Sequence, residues 1–278
     1  MRLPITLAQL PTLAKQMAQR EYRLAFGKDS KPVFRLCYFS CQSYFPYLYC
    51  ALHSLVQTVR SSHLEVFVFS DTDMPLSAAQ TEALMALPLQ VKVIPWPKSV
   101  GWGAEQIGWI WRAYALACEG LSDDDFIARI DSDVFFFNDR IFRAMARSRA
   151  DFIGDGHYVD FEYCQGGAYF LRVSAARAVL KYLESNDLTQ VLAQAQIGVE
   201  DRAVMHFAAL VKLKTWMTCF MMFPDELRNA GGLTALARFK FSCLHFTSKN
   251  KAGMIDAYVA GVLPHAEQAA FKAVLSTP

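Results

Sequence analysis

The sequence has little excess charge of either sign, few charged residues and no long apolar run. It contains 28 basic and 26 acidic residues, for a formal net charge of +2. Such a small net charge argues against general electrostatic binding to nucleic acid, so no nucleic-acid partner is expected. No stretch approaches the roughly 20 consecutive apolar residues that a membrane-spanning helix needs. Charged residues make up 19% of the chain, which argues against long disordered tails.

The seven cysteines form no CxxC pair, so a structural zinc site is not expected. Their number is odd and their spacing is scattered. Several stand in apolar runs, where a free cysteine acts as a small core residue. Near the N-terminus, Arg20, Glu21 and Arg23 follow no apolar core of a signal peptide. These observations predict a cytoplasmic protein in a reducing compartment, either free or in peripheral contact with a membrane.

Apolar strands and amphipathic helices alternate in the first half of the chain. Strands are predicted at residues 34–40, 64–70, 91–94 and 126–130, and helices at residues 46–60, 77–86 and 107–118. This alternation is typical of βαβ units and of a mainly parallel sheet in an α/β fold. Right-handed crossovers then place the carboxyl ends of the strands at one edge of the sheet, where ligands bind in such folds.

The flanking regions are less regular. Residues 5–26 carry apolar side chains at helical spacing and predict an amphipathic helix, followed by a turn-rich linker at residues 27–32. This helix either docks on the domain or offers a surface to a second copy of the chain or to a membrane. In the second half, a strand is predicted at residues 168–171, helices at 174–183 and 200–210, and a late strand at 238–246.

Two aspartates directly follow the fourth predicted strand. The apolar run that begins at Ile127 ends at Asp131, Ser132 and Asp133. Two carboxylates in such surroundings would repel each other and would be costly to bury without a partner. Residues i and i+2 of an extended strand share a face, so both carboxylates can bind one ion. Hard carboxylate oxygens favour Mg²⁺ or Mn²⁺, which predicts a metal site; a pair of aspartates that caps a turn is the alternative.

The Asp131-Ser132-Asp133 motif after a hydrophobic strand resembles the D-x-D motif of GT-A-type glycosyltransferases, including the glycogenin-like group. The resemblance is one of pattern and motif order over residues 34–253. It implies a GT-A-like, Rossmann-type sheet flanked by helices, in one domain with a C-terminal acceptor-side elaboration. Residues 1–32 would be the N-terminal helix and linker, residues 33–140 the nucleotide-binding half and residues 141–278 the acceptor-side half.

The same resemblance implies a reaction. A divalent metal, Mn²⁺ or Mg²⁺, would assist transfer of a sugar from a nucleoside diphospho-sugar to an acceptor hydroxyl. Uridine diphosphate is the implied nucleotide, and the acceptor would be a saccharide, a lipid-linked molecule or a protein. The sequence names neither the sugar nor the acceptor.

The resemblance also implies which residues contact the donor in the first half of the chain. These candidates are Phe39, Ser40, Asp71, Arg112, Arg129 and Ser132. The first two end strand one, near which the family binds the base. Asp71 ends strand two, where it either contacts the base or ribose or caps the following turn. Arg112, and after it Arg129, is the candidate for the basic residue that the family places near the phosphates.

Further candidates lie in the second half of the chain. Gln165, Gly166 and Gly167 precede an apolar strand, and paired glycines let a backbone approach a ligand closely, here the donor sugar by resemblance. Glu200 and Asp201 begin a predicted helix, a position that the helix dipole alone would favour for acids. In inverting members of the fold, an acid near this site deprotonates the acceptor. Retaining glycogenin-like enzymes carry Asp-Gln instead, so the stereochemical course stays open.

His245 and Lys251 resemble the histidine and the lysine of the H-x-x-G-x-x-K-P-W motif of the glycogenin-like group. There the histidine is a third metal ligand and the lysine contacts the diphosphate. Ser248 stands at the glycine position, and Ala252 and Gly253 replace Pro-Trp. Imidazole is an acceptable ligand of manganese, and an ammonium group can neutralise a leaving diphosphate.

Three other functions share parts of this pattern. A phosphohydrolase or phosphotransferase with an aspartate nucleophile also has D-x-D after a parallel strand, but Val134 and the phenylalanines after it fit its tight turn poorly. A nucleotidyltransferase would need a glycine-rich basic loop after strand one, which the sequence lacks. A catalytically silent protein that binds nucleotide sugars is the third option.

Overall fold

The computed structural model describes residues 10–27, 31–60, 62–99, 101, 103–159, 162–247 and 249–277. Its strands are β1 (Val33–Ser40), β2 (His63–Asp71), β3 (Gln90–Trp96), β4 (Phe126–Ile130), β5 (Val134–Phe136), β6 (Phe152–Asp155), β7 (Ala168–Arg172), β8 (Thr215–Thr218), β9 (Met221–Met222) and β10 (Cys243–His245). Its α-helices are α1 (Leu10–Phe26), α2 (Phe45–Thr58), α3 (Ala78–Met85), α4 (Ala104–Ala117), α5 (Arg140–Ala146), α6 (Val173–Glu184), α7 (Leu188–Gln194), α8 (Glu200–Leu210), α9 (Pro224–Asn229), α10 (Ala235–Lys240), α11 (Gly253–Gly261) and α12 (Gln268–Leu275).

A seven-stranded sheet runs in the order β3-β2-β1-β4-β7-β6-β8. Strands β3, β2, β1 and β4 are parallel neighbours, and β6 and β8 are also parallel. Strand β7 pairs antiparallel with both β4 and β6. The prediction of a mainly parallel α/β sheet flanked by helices is therefore confirmed, with one reversed strand near its middle.

The sheet separates two layers of apolar side chains. Along β1, Leu36 and Tyr38 pack on one face with α2 and α5, while Cys37 and Phe39 pack on the other face with α4, α6 and α8. A strand buried on both faces reads as a nearly continuous apolar run, interrupted in β1 by Arg35, and such a run is recognisable in a sequence. All seven cysteines are buried and free.

A small second sheet lies beside the carboxyl end of β4. Its order is β5-β10-β9, and β10 pairs antiparallel with β5 so that His245 lies opposite Val134. The Phe246 N–H donates to the carbonyl of Asp133 at 2.9 Å. This pairing brings the late histidine to the D-x-D motif across more than 100 residues of sequence.

The N-terminal helix α1 docks on the domain through a buried arginine. Arg20 is fully buried and donates to the carbonyls of Cys219 at 3.1 Å, Lys240 at 2.6 Å and Phe239 at 2.6 Å. This supports the docked arrangement, while the opposite face leaves Tyr22 and other apolar side chains exposed. Over the described residues, no helix has the length and apolar character needed to cross a bilayer.

One predicted element is wrong in part, and two predicted segments extend outside the described residues. Residues 5–9 of the predicted first helix and residues 28–30 of the predicted linker lie outside the described residues. The late strand predicted at residues 238–246 is wrong in its first half, because α10 occupies residues 235–240. The Thr234 side chain accepts from the Ala237 N–H and so caps that helix, and only Cys243–His245 is a strand.

Candidate active site

A cleft of about 390 Å³ opens where β1 and β4 end, a size within the roughly 300–1,000 Å³ range of small-molecule sites. Its wall includes eleven predicted site residues: Phe39, Arg129, Asp131, Ser132, Asp133, Gln165, Gly166, Gly167, Glu200, Asp201 and His245. Lys251, the twelfth predicted site residue in the wall, lines it as well. Residues far apart in the sequence therefore meet at the predicted edge of the sheet.

Three side chains in this cleft are arranged as a set of metal ligands. The donor atoms of Asp131, Asp133 and His245 lie within 4.8 Å of one another. His245 Nε2 is 3.5 Å from Asp133 Oδ1 and 4.0 Å from Asp131 Oδ2. Two carboxylates and an imidazole are a donor set that suits Mn²⁺ or Mg²⁺. The residues present therefore fit the divalent ion that the sequence predicted.

The two aspartates converge through a turn and not through an extended strand. Strand β4 ends at Ile130, and the Val134 N–H donates to the carbonyl of Asp131 at 3.1 Å, closing a turn over the motif. The argument that residues i and i+2 share a strand face was therefore wrong in detail. The turn aims both carboxylates into the cleft, whereas Ser132 is buried and its Oγ has no hydrogen-bond partner within the described part of the chain.

The two carboxylates sit in different electrostatic surroundings. Burial raises the pKa of Asp131, which the charge of Arg129 opposes and the charge of Asp133 reinforces. Burial also acts to raise the pKa of Asp133, but His245 and Lys251 outweigh it and hold that pKa below its ordinary value. Two carboxylates that repel each other at close range are stabilised together when a divalent cation neutralises them.

Arg129 connects the candidate metal ligands to the acidic pair at the start of α8. Its Nη2 lies 2.9 Å from Asp131 Oδ1 and its Nη1 lies 3.0 Å from Glu200 Oε2. The same Nη1 donates to the carbonyl of Gly166 at 2.6 Å. Since its guanidinium is engaged by these groups, Arg129 orients them and is a poor candidate for the phosphate contact that the sequence assigned to it.

Glu200 and Asp201 have different surroundings. The carboxylate of Glu200 accepts a short hydrogen bond from Tyr169, whose hydroxyl also contacts Tyr114, and its other oxygen faces Arg129. Burial raises the pKa of Glu200 to about 8. Asp201 Oδ1 accepts from the Arg202 N–H at 2.8 Å, and burial raises its pKa as well. The geometry leaves Asp201 the freer of the two to meet a ligand.

Of the two paired glycines, Gly167 is required by close packing against His245. The Gly167 carbonyl accepts from the Asp131 N–H at 2.9 Å. A Cβ on Gly167 would lie 2.5 Å from His245 Nδ1, so no side chain fits between them. A Cβ on Gly166 would make only ordinary contacts, the closest at 3.5 Å to Asp201 Cβ.

Lys251 closes the other side of the cleft. Its Nζ lies 3.0 Å from Asp133 Oδ2 and 3.8 Å from the ring centre of Tyr44. The charge of Asp133 raises the pKa of Lys251 against the effect of its burial, so the side chain stays an ammonium. Tyr44, in the turn before α2, was not singled out from the sequence, and no local motif marks it.

Three predicted donor contacts lie away from the cleft wall. Asp71 accepts from the Asp73 N–H and the Ser99 N–H, each at 2.9 Å, so its role is to cap the turn after β2. Ser40 is buried at the end of β1 without reaching the cleft. Arg112 is exposed, with its guanidinium 4.5 Å from the ring centre of Trp109, and it does not line the cleft either.

A second buried cluster lies outside the cleft wall. His157 Nδ1 is 2.6 Å from Asp155 Oδ1, and His157 Nε2 is 3.3 Å from each oxygen of Glu226. The other Asp155 oxygen accepts from the N–H groups of Phe220 and Met221. Although burial acts to lower it, Asp155 raises the pKa of His157 well above its ordinary value. These contacts link β6 to α9 through the buried side chain of His157.

Comparison with known proteins identifies the fold and nothing finer. No family model and no curated protein matches the sequence. The galactosyltransferase LgtC, solved with donor and acceptor sugar analogues, superposes with a TM-score of 0.52 at 11% identity, over 84% of this chain and 99% of that chain. The fold is of the GT-A type. This confirms the predicted resemblance at the level of the fold.

Two further solved structures are similar in the same way. An active-site mutant of LgtC gives a TM-score of 0.50 at 12% identity, over 84% of this chain and 99% of that chain. The bifunctional glycosyltransferase WbbM gives 0.48 at 12% identity, over 90% of this chain and 52% of that one. At such low identity, the chemistry of this GT-A domain has to be argued from its own residues.

Proposed function

We propose that this protein is a metal-dependent glycosyltransferase, which transfers a sugar from a nucleoside diphospho-sugar, with uridine diphosphate as the nucleotide, to an acceptor hydroxyl. The observation that carries the proposal is the convergence of Asp131, Asp133 and His245 with Lys251 in the cleft of a GT-A fold. The LgtC structure holds donor and acceptor sugar analogues, which supports a saccharide as the acceptor class.

Three residues would hold the metal. Asp131 and Asp133 supply carboxylate oxygens and His245 supplies a ring nitrogen. When bound, a divalent ion supplies Lewis-acid stabilisation of the charge that develops on a leaving diphosphate. The position of His245 Nε2 within 4.0 Å of both carboxylates and the space that Gly167 leaves free for the ring both support a ligand role over a core role.

Lys251 binds the diphosphate from the side of α2. Its ammonium lies against Asp133 and the ring of Tyr44, so its position is fixed before a ligand arrives. A fixed positive charge stabilises developing negative charge better than a mobile one, because no reorganisation is needed during the reaction. The arrangement gives Lys251 a stabilising role on the leaving group.

Asp201 is the acid that meets the acceptor side, and Glu200 is a positioning residue. Both oxygens of Glu200 are held by Tyr169 and Arg129, so Glu200 acts by orienting Arg129. Asp201 lies beside Gly166, on the face where a donor sugar would sit. Inversion of the anomeric centre, read by NMR of the product, would make Asp201 the base; retention would make it a hydroxyl-binding group.

Calorimetric titration with uridine diphosphate, with and without Mn²⁺, tests the proposal. We expect metal-dependent binding that is lost in Asp133→Asn and kept in Asp73→Asn, which removes an exposed carboxylate outside the cleft. Binding should be followed by a screen of uridine diphosphate sugars for hydrolysis or transfer. Failure of all nucleoside diphosphates to bind, or phosphatase activity that needs Asp131, would refute the proposal.

A further inference from the structure

Two buried polar side chains line the β3 side of the cleft without hydrogen-bond partners. Ser99 follows β3 and Gln106 lies in the first turn of α4, and their exposures are 4% and 5%. Within the described residues, neither Ser99 Oγ nor Gln106 Oε1 is paired. Buried polar atoms nearly always have a partner, so these two are candidates for contact with a ligand.

The order of strands indicates which part of a donor they would meet. Along the sheet, β3, β2, β1, β4 and β7 follow one another. Ser99 is tied to the end of β2 by its bond to Asp71, Gly167 directly precedes β7, and the metal ligands follow β4 between them. If the diphosphate meets the metal and the sugar meets Gly167 and Asp201, the base extends toward β2 and β3.

The walls of this end of the cleft suit a flat ring. Phe39, Ile107 and Ile110 line it with apolar surface. The Phe39 ring is fixed, because it stacks on Phe69 with ring centres 5.0 Å apart and planes 17° from parallel. A nucleobase has two apolar faces and a polar edge, so apolar walls with one polar group at the rim match its shape and chemistry.

We propose that Gln106, together with Ser99, reads the edge of the nucleobase and selects a base that presents an N–H donor beside a carbonyl, as uracil does. The inference rests on the proposed function, since it assumes a nucleoside diphosphate in the cleft. A carboxamide carries one acceptor and two donor hydrogens, so its oxygen accepts from the base N–H while its NH₂ donates to the neighbouring carbonyl.

Replacement of the amide by a carboxylate tests this assignment. A carboxylate only accepts, so Gln106→Glu should repel the carbonyl of uracil and accept the adjacent N–H groups of guanine. We expect affinity for uridine diphosphate to fall at least about tenfold and affinity for guanosine diphosphate to rise, since a good bidentate pair discriminates by that order. Gln106→Met should lose affinity for uridine diphosphate without any gain for guanosine diphosphate.

The matched control is Gln194→Glu, which adds the same charge at an exposed position of α7 and should change neither affinity. Titrations in Mn²⁺ are paired with thermal melts, and Gln106→Met decides the question if the buried carboxylate of Gln106→Glu prevents folding. Wild-type affinity for uridine diphosphate in a folded Gln106→Met variant would overturn the role of Gln106 and leave the proposed function standing. No binding of either nucleotide by the wild type would instead refute the proposed function.

Discussion

The substitution Gly167→Ala offers a direct test of the proposed metal site, because it displaces the proposed ligand His245 without removing it. An ideal Cβ at this position would lie 2.5 Å from His245 Nδ1 and 2.8 Å from both Cγ and Cε1 of the same ring. Ordinary contacts of a Cβ begin near 3.4 Å. The imidazole of His245 therefore has to move by about 1 Å, several times the ~0.2 Å tolerance of metal–ligand distances.

The expected effect is a loss of metal affinity with the fold retained. Displacing one ligand by this amount should weaken Mn²⁺ binding by roughly 10- to 100-fold, the range seen when the support of a ligand is removed. Overpacking of a buried site should also cost about 1–3 kcal/mol of unfolding free energy. Calorimetric titration with Mn²⁺ measures the first effect, and urea unfolding measures the second.

The neighbouring glycine provides the control. Gly166→Ala places its Cβ at ordinary contact distance from Asp201 and Arg129, so it should leave Mn²⁺ affinity within about twofold of the wild type, on the ordinary scale of a tolerated substitution. If folded Gly167→Ala bound Mn²⁺ as tightly as Gly166→Ala does, His245 would not be a ligand, and the three-residue metal site would have to be abandoned.

Three further predictions concern Lys251, His157 and Arg20. Lys251→Met should lower affinity for uridine diphosphate about tenfold without lowering affinity for Mn²⁺ alone, since it removes a cation that binds phosphate and repels metal; calorimetry separates the two effects. His157→Gln should cost about 3 kcal/mol of unfolding free energy in urea, because it leaves the buried carboxylate of Asp155 and the partly buried carboxylate of Glu226 without their cation. Because folding raises the pKa of His157, the stabilisation from this histidine is complete below its unfolded pKa near 6.5. That stabilisation is lost as the pH rises through the pKa of His157 in the folded protein, so the unfolding free energy of the variant should fall less steeply above neutral pH than that of the wild type. Arg20→Ala should cost about 2–3 kcal/mol in the same assay by leaving three carbonyls unpaired, whereas Lys15→Ala on the exposed face of that helix should change stability by less than about 0.5 kcal/mol.

The strand framework could be predicted from the sequence because the central strands are buried on both faces. β1 and β4 read as apolar runs, and the run that ends at Asp131 identified the edge where the cleft lies. The late strand could not be placed correctly, since Thr234 begins a helix there through its own cap and β10 forms only by pairing with β5. Pairing between distant segments leaves little trace in local composition.

Some residues of the candidate site could likewise be predicted from the sequence, and others could not. The D-x-D motif was recognisable because two acids after an apolar strand need a partner. For Asp71 at the end of β2 the sequence left a nucleotide contact and a turn cap open, and its two oxygens accept from backbone N–H groups, one of which, that of Ser99, only the fold brings near. Gln106 and Ser99 carried no signal, because an amide and a hydroxyl are ordinary in a surface sequence and become informative only when both are buried and unpaired.

Arg129 is a single charged residue in an otherwise apolar strand, and it links several residues of the candidate site. It lies one residue before the end of β4, and its ion pair with Asp131 in the following turn holds its guanidinium in the cleft wall. A largely buried guanidinium needs acids around it, and Asp131 and Glu200 meet that need while the Gly166 carbonyl accepts a further hydrogen bond. Asp131, Glu200 and Gly166, proposed here as a metal ligand, a positioning residue and a sugar contact, are thus held by one side chain. A change in any of them should be felt by the others, and double-mutant cycles between Arg129 and Glu200 with Mn²⁺ affinity as the readout would measure that coupling.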